Sequence, residues 1–231
     1  GNEIAWSKAG VTAIQVTNTE YTALGPAFDW YHYPGSTVPY VKETSLGSAG
    51  RSGNAGSFTG GVSDGHYGAA VHSLDRADTQ AQKSYFFFDD EMVAVGAGIQ
   101  STSTAEIHTT VNQVAAMDNA SVNGSPVAAG TDADARDHAS WAYNDKVGYV
   151  FPENGALAVS NKTQTGSYYG EESQSHDAFT LYLNHGVAPS DASYEYVVLP
   201  AATSEQTQAY AADPAVEVLR NDTDVQAARH G

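Results

Sequence analysis

The chain has 231 residues, with 22 Gly, 14 Tyr and no Cys, which excludes a disulfide framework, a thiolate metal site and a cysteine nucleophile. Ten Lys and Arg stand against 27 Asp and Glu, and a net charge of -17 repels a phosphate backbone, so nucleic acid is excluded as a partner. Thr, Ser and Val are plentiful while Leu and Lys are scarce, a balance that favours strands and turns and reads as all-β.

The opening GNEIAWSKAG lacks the basic and apolar pattern of an export signal, as expected of a mature or excised piece. No apolar run reaches the roughly 18 residues of a membrane span. So acidic a surface suits a salty medium, where charges are screened beyond about 10 Å. The first β-rich run is VTAIQV at 11–16. Residues 29–40, DWYHYPGSTVPY, hold one Trp, three Tyr, one His, two Pro and a Gly. Pro34-Gly35 is a turn signal and Pro39 keeps Val38 extended, so the stretch is a stiff corner. Such a corner is either architecture or an aromatic rim for stacking against a sugar ring.

YGAAVHSL at 67–74 follows as a strand, then SYFFFDDEMVAVGAGI at 84–99 as a tight hairpin. Tyr85 to Phe88 are apolar on both alternating faces, which predicts burial between two layers with Phe86 and Phe88 in the core. At the hairpin tip, Asp89, Asp90 and Glu91 read as a solvated turn, with an acid and base pair or a calcium cluster as the alternatives. EIHTTVNQV at 106–114 alternates as a half-exposed strand would, its polar face either lining a groove or meeting water. Asn123-Gly124 and Asn154-Gly155 mark hairpin reversals. Residues 126–141, with Asp132, Asp134 and Asp137, read as a mobile, charged surface loop. VGYVF, AFTLYLNHG and YEYVVLP complete the strands. The one helix is predicted after Thr203, which has capping-box spacing to Gln206, and it stops at Pro214. Without a repeat or a composition break, the chain is one domain over 1–231.

Eight His stand at 32, 66, 72, 108, 138, 176, 185 and 230, none at the spacing of a helical zinc site. No nucleophile elbow, phosphate loop or dinucleotide fingerprint occurs in a strand-to-helix context. The adjacent Tyr31, His32, Tyr33 and His66, Tyr67 offer acid and base groups, but neighbours on a strand point to opposite faces. For sugar stacking the candidates are Tyr31, His32 and Tyr33, supported by Trp141 and by Tyr168 and Tyr169 in the GSYYG loop.

Taken in order, NTEYTALGPAFDWYHYPGSTV, FTGGVSDGHYGAAVHSL, KSYFFFDDEMVAVGAGI, HTTVNQ, VGYVF, TLYLNHGVAP, YEYVVLP and VEVLRNDTDVQA resemble the central β domain of family 8 polysaccharide lyases, a family that includes hyaluronate, chondroitin and xanthan lyases. The resemblance runs over essentially the whole chain. It implies a large antiparallel β supersandwich of the galactose-mutarotase-like kind, preceded by a helical toroid and followed by a smaller β domain, neither of them in this chain. It implies a bacterial, secreted or periplasmic enzyme that opens acidic, uronate-containing polysaccharide by β-elimination, or alternatively a noncatalytic saccharide-binding scaffold. The family's catalytic Asn, His, Tyr and Arg lie on the helical domain, so no catalytic residue is assigned here and that domain is the partner. No cofactor is required, and a structural calcium ion is compatible with the chemistry. The family's cleft-wall Glu-x-x-Asn-x-Glu-Asn segment matches GNE in part, which carries over Asn2 and Glu3 as substrate-binding residues. Asp29, Trp30, Pro34, Gly35 and Thr37 match a recurring corner and are architectural, leaving Tyr31, His32 and Tyr33 for a ligand. The sequence departs from the family at Tyr85, Gln113 and GSYYGEES, which leaves the particular sugar open.

Overall fold

The computed structural model describes residues 8–41, 53–153, 157–168 and 171–231. Its strands are β1 (Thr37–Pro39), β2 (Thr59–Ser63), β3 (Gly68–Arg76), β4 (Thr79–Phe87), β5 (Met92–Ser101), β6 (Glu106–Ala115), β7 (Ser121–Val122), β8 (Ser125–Pro126), β9 (Thr131–Arg136), β10 (Trp141–Asn144), β11 (Val147–Val150), β12 (Leu157–Gly166), β13 (Gln174–Val187) and β14 (Ala192–Pro200). The helix α1 (Ser204–Ala212) and the hairpin β15 (Val216–Asn221) and β16 (Gln226–His230) follow. The strands pair antiparallel into a five-stranded sheet, β1-β6-β13-β12-β9, and a nine-stranded sheet, β2-β3-β4-β5-β14-β11-β10-β7-β8. The composition predicted an all-β chain and the family resemblance predicted a β supersandwich, and the structure is both.

Four layers result. Between the two sheets lies the main core, with Ile107, Val111, Phe179 and Leu181 from the smaller sheet facing Tyr85, Ala94, Tyr149 and Tyr196 from the larger. Burying each large side chain contributes about 1.5 to 3 kcal/mol. The far face of the large sheet carries Val93, Val95, Trp141 and Leu199 and is covered by α1 and the β15–β16 hairpin. On the far face of the small sheet, Leu24 and Phe28 bury Ala178.

The hairpin tips follow their turn chemistry. Asn123 and Gly124 both adopt positive φ between β7 and β8, as a two-residue reversal requires. The Asn154-Gly155 signal lies outside the described residues. At α1 the Thr203 side chain accepts from the Gln206 amide while Gln206 Oε1 accepts from the Thr203 amide, completing the expected capping box.

Other expectations change, each for a physical reason. VTAIQV forms no strand, because its backbone bonds elsewhere: Thr12 N donates to Pro34 O and Ile14 N to the Tyr21 hydroxyl. The 126–141 stretch is not a loop throughout, since β9 pairs with β12 as an edge strand. Its acids are tied by the Lys162–Asp132 and Arg136–Asp134 ion pairs, and charge at an edge deters further strand pairing. β6 is buried on both faces instead of one, because the 29–40 corner lies over its outer side. At the β4–β5 tip Asp89 and Asp90 are exposed as expected, but Glu91 is buried and accepts from the Tyr210 hydroxyl. Phe86 and Phe88 are half-buried against the outer cluster, whereas Tyr85 takes the core position and Phe87 is exposed. β4 does lie between layers, but its outer cover is thin.

Candidate functional site

Two regions collect the chemistry of the domain. The first is the corner. Asp29 caps a short 3-10 turn at Trp30–His32, its side chain accepting from Tyr31 N. Tyr33 O then accepts from Ser36 N across Pro34-Gly35, with Gly35 at φ +79°, the geometry of a type II turn. A Cβ on Gly35 would stand 2.5 Å from Thr12 N, so only glycine fits. Besides the β1–β6 ladder and the Gly35 N–Thr110 O and Thr110 N–Ser36 O bonds, a buried side chain ties the corner to β6: Gln113 Oε1 accepts from Asp29 N, and its Nε2 donates to Asp29 O and His32 O.

The second region is the end of the nine-stranded sheet, where β2, β3 and β4 overhang the smaller sheet. Residues 8–13 run along its inner face and leave a groove of about 890 Å³, lined by Lys8, Thr12, Thr59, His72, Tyr85 and Phe87 among others. No Asp or Glu lines it among the described residues, in a chain of net charge -17. Behind residues 9 and 10 lies Lys83, fully buried, whose ammonium donates to Ala9 O at 3.0 Å and Gly10 O at 3.5 Å and also bonds Gly35 O. Burial lowers the Lys83 pKa to about 7. Tyr85 donates to Gly10 O at 2.6 Å. His72 bridges Thr59 Oγ1 and Lys8 O, and burial followed by the Lys83 charge lowers its pKa. At the sheet edge Phe58 is 58% and Phe87 44% exposed.

The residues expected from sequence fall in different places. Asn2, Glu3 and Tyr169 lie outside the described residues. His32 is buried on β6, and Trp141 is buried in the outer cluster of the large sheet, so neither offers a ring face to a sugar. Tyr31 and Tyr33 are half-buried, Tyr31 edge-on to Tyr40 and Tyr33 stacked on Trp30. Tyr168 is exposed. His66 and Tyr67 converge despite being adjacent, because they sit in a turn: both contact the Asp89 carboxylate. Sequence reasoning missed Phe58, His72 and Lys83. The signal for Phe58 was its neighbour Gly60-Gly61, whose missing side chains leave the edge strand β2 uncovered. Among the described residues, no three His, Asp or Glu side chains are grouped to hold a metal ion.

A family model described as polysaccharide lyase family 8, super-sandwich domain, matches residues 3–211. The chondroitinase-AC of Pedobacter heparinus is 34% identical over 236 residues, covering 96% of this chain and 33% of that protein. The hyaluronate lyase of Thermasporomyces composti is 34% identical, covering 91% of this chain and 29% of that protein. A chondroitinase AC lyase solved in enzyme–oligosaccharide complexes superposes with a TM-score of 0.88 at 34% identity, covering 96% of this chain and 34% of that one. The chain thus spans about a third of the length of the relatives it matches.

Proposed function

The chain belongs to polysaccharide lyase family 8 as its super-sandwich domain, and on that premise we propose that it forms one wall of the substrate cleft in a secreted or periplasmic bacterial enzyme that cleaves uronate-containing polysaccharide by β-elimination. That reaction needs a donor to neutralise the uronate carboxylate, a base for the C5 proton and an acid for the leaving oxygen, all within about 3 Å of their target atoms. A helical partner domain of the same protein supplies those groups, and this chain supplies the wall. The proposed reaction calls on no cofactor. A structural calcium ion would show as a melting temperature raised by calcium and lowered by chelation.

The observation that carries the reading is the acid-free groove beneath β2–β4. A polyanion and a chain of net charge -17 repel each other overall, but Lys8 and His72 line this one concavity without a carboxylate beside them. Thr59 and Tyr85 add hydroxyls and Phe87 adds an exposed ring face, while Phe58 stands exposed beside β2 in an adjoining hollow lined with Val62 and Phe86.

The test compares the longer parent protein with the 231-residue chain on hyaluronan, chondroitin, xanthan and alginate, following new unsaturated uronate ends. The parent should produce them and the isolated chain should not, while still binding weakly. A parent that forms none would leave the domain a saccharide-binding scaffold. Turnover by the isolated chain, lost in Tyr31→Ala or His32→Ala, would place a complete active site here.

A further inference from the structure

On the outer face of the small sheet, two histidines distant in sequence meet ring nitrogen to ring nitrogen. His32 Nε2 of the corner lies 3.2 Å from His108 Nδ1 of β6, the ring planes nearly parallel at 7°. Each pair end meets a carboxylate. His32 Nδ1 is 3.1 Å from Asp29 Oδ2, which also accepts from the Tyr40 hydroxyl, and His108 Nε2 is 3.5 Å from Glu106 Oε2. Tyr40 and Tyr182 flank both imidazoles, with centroids 4.4 to 4.8 Å away. The two histidines are buried, while the carboxylates at the ends, Asp29 and Glu106, reach solvent in part.

Donor counting limits the protons this row can hold. Asp29 only accepts, so His32 Nδ1 donates. The contact between the rings needs one donor and one acceptor, so while it lasts the two imidazoles carry at most three of their four ring protons. A fourth turns both facing nitrogens into donors and sets two positive charges against each other in a buried place. We propose that Asp29, His32, His108 and Glu106 form a proton-operated clasp, which, alongside the β1–β6 ladder and the Gln113 bonds, tightens the corner against the small sheet while the histidines share their facing proton and loosens it when acid supplies the fourth.

The surroundings agree. Burial, and then the His32 charge, lower the His108 pKa to about 4. A histidine whose folded pKa lies below its ordinary 6.5 gives stability that is intact above 6.5 and lost as pH falls toward about 4. The other titrating groups facing the row are Tyr40 on the corner, Tyr182 and His185 on β13, and Asp132 on β9, which acts on both tyrosines. His185 has its own partner, Thr109 Oγ1 at 2.8 Å. The Gln113 bonds contain no titrating group, so acid loosens the corner locally and leaves the fold standing.

Hydrogen exchange reads this directly. The reporters are the amides of His32, Gly35 and Tyr40, which donate to Asp29 O, Thr110 O and Glu106 O. Between neutral pH and about 4, corrected for intrinsic exchange, they should lose about tenfold more protection than the amides of β14. His108→Gln should abolish that excess, and His185→Gln should leave it. Reporters that keep pace with β14, or an excess that survives His108→Gln, would overturn the clasp. Should His108→Gln not fold, nitrogen-15 spectra of the histidine rings in the unaltered chain decide: both facing nitrogens must become donors as the reporters loosen, and a donor and acceptor pair that persists through the loosening sinks the idea.

Discussion

The 29–40 corner and the β2–β4 overhang are both rich in aromatic and polar side chains, yet one is sealed and the other open. In the corner, the backbone polar groups of a tight turn lie against a sheet and must be satisfied there. Gln113 bonds three of them, Thr110 O accepts from Gly35 N, and the tyrosines pack on what results. In the overhang the β3 backbone is satisfied by ladders on both sides and β2, at the edge, on one, so the side chains there are not needed to satisfy a tight turn. What decides between rim and architecture is therefore where the main-chain hydrogen bonds go. Ring content does not decide it.

The largest effect should come from unfastening the corner. Gln113→Ala removes three buried hydrogen bonds at once and strands two carbonyls and an amide, which should cost about 3 kcal/mol. Urea denaturation with an unchanged slope measures it. A loss no greater than that of a surface substitution would mean the corner is as loosely held as the overhang.

Lys83 links the two regions, since it bonds Ala9 and Gly10 under the groove and Gly35 in the corner. Burial lowers its pKa from 10.5 to about 7. The unfolded chain therefore binds more protons between those values, and this group makes stability rise with pH across that window. Lys83→Met should flatten the rise. Buried tyrosine hydroxyls, pushed up by burial, work in the opposite sense at higher pH, so the difference between the two proteins is the quantity to follow. Denaturant midpoints that stay parallel for the two from pH 7 to about 9 would show that burial does not set the charge of Lys83.

Much of the fold was legible because it rests on local chemistry. Short β-rich runs marked β3, β5, β11, β13 and β14, Asn123-Gly124 marked its reversal, and Thr203 with Gln206 marked the helix start. The site was less legible, because its features come from distant pairings. Gln113 reads as a polar strand residue, and only the fold shows that it holds Asp29, 84 positions away. His32 looked free beside two tyrosines until His108 closed over it from β6. β9 was hidden because an edge strand needs few apolar residues of its own once β12 offers it a ladder.

The smallest effect on stability separates the regions most sharply. Phe58 is 58% exposed at the edge of the overhang, so Phe58→Ala should change folding stability by no more than about 0.5 kcal/mol. If a sugar ring stacks there, the same change should weaken polysaccharide binding by up to about tenfold, since such stacking is worth about 0.5 to 1.5 kcal/mol. Tyr31→Ala is the matched variant: half-buried against Tyr40, it should cost stability and spare binding. Affinity electrophoresis in gels containing the polysaccharide, run beside urea melts of both variants, gives the two readings together. Binding lost in Tyr31→Ala and kept in Phe58→Ala would reverse the assignment, making the corner the sugar-facing rim and the overhang a bare edge, because exposure would then have failed to predict which rings meet the ligand.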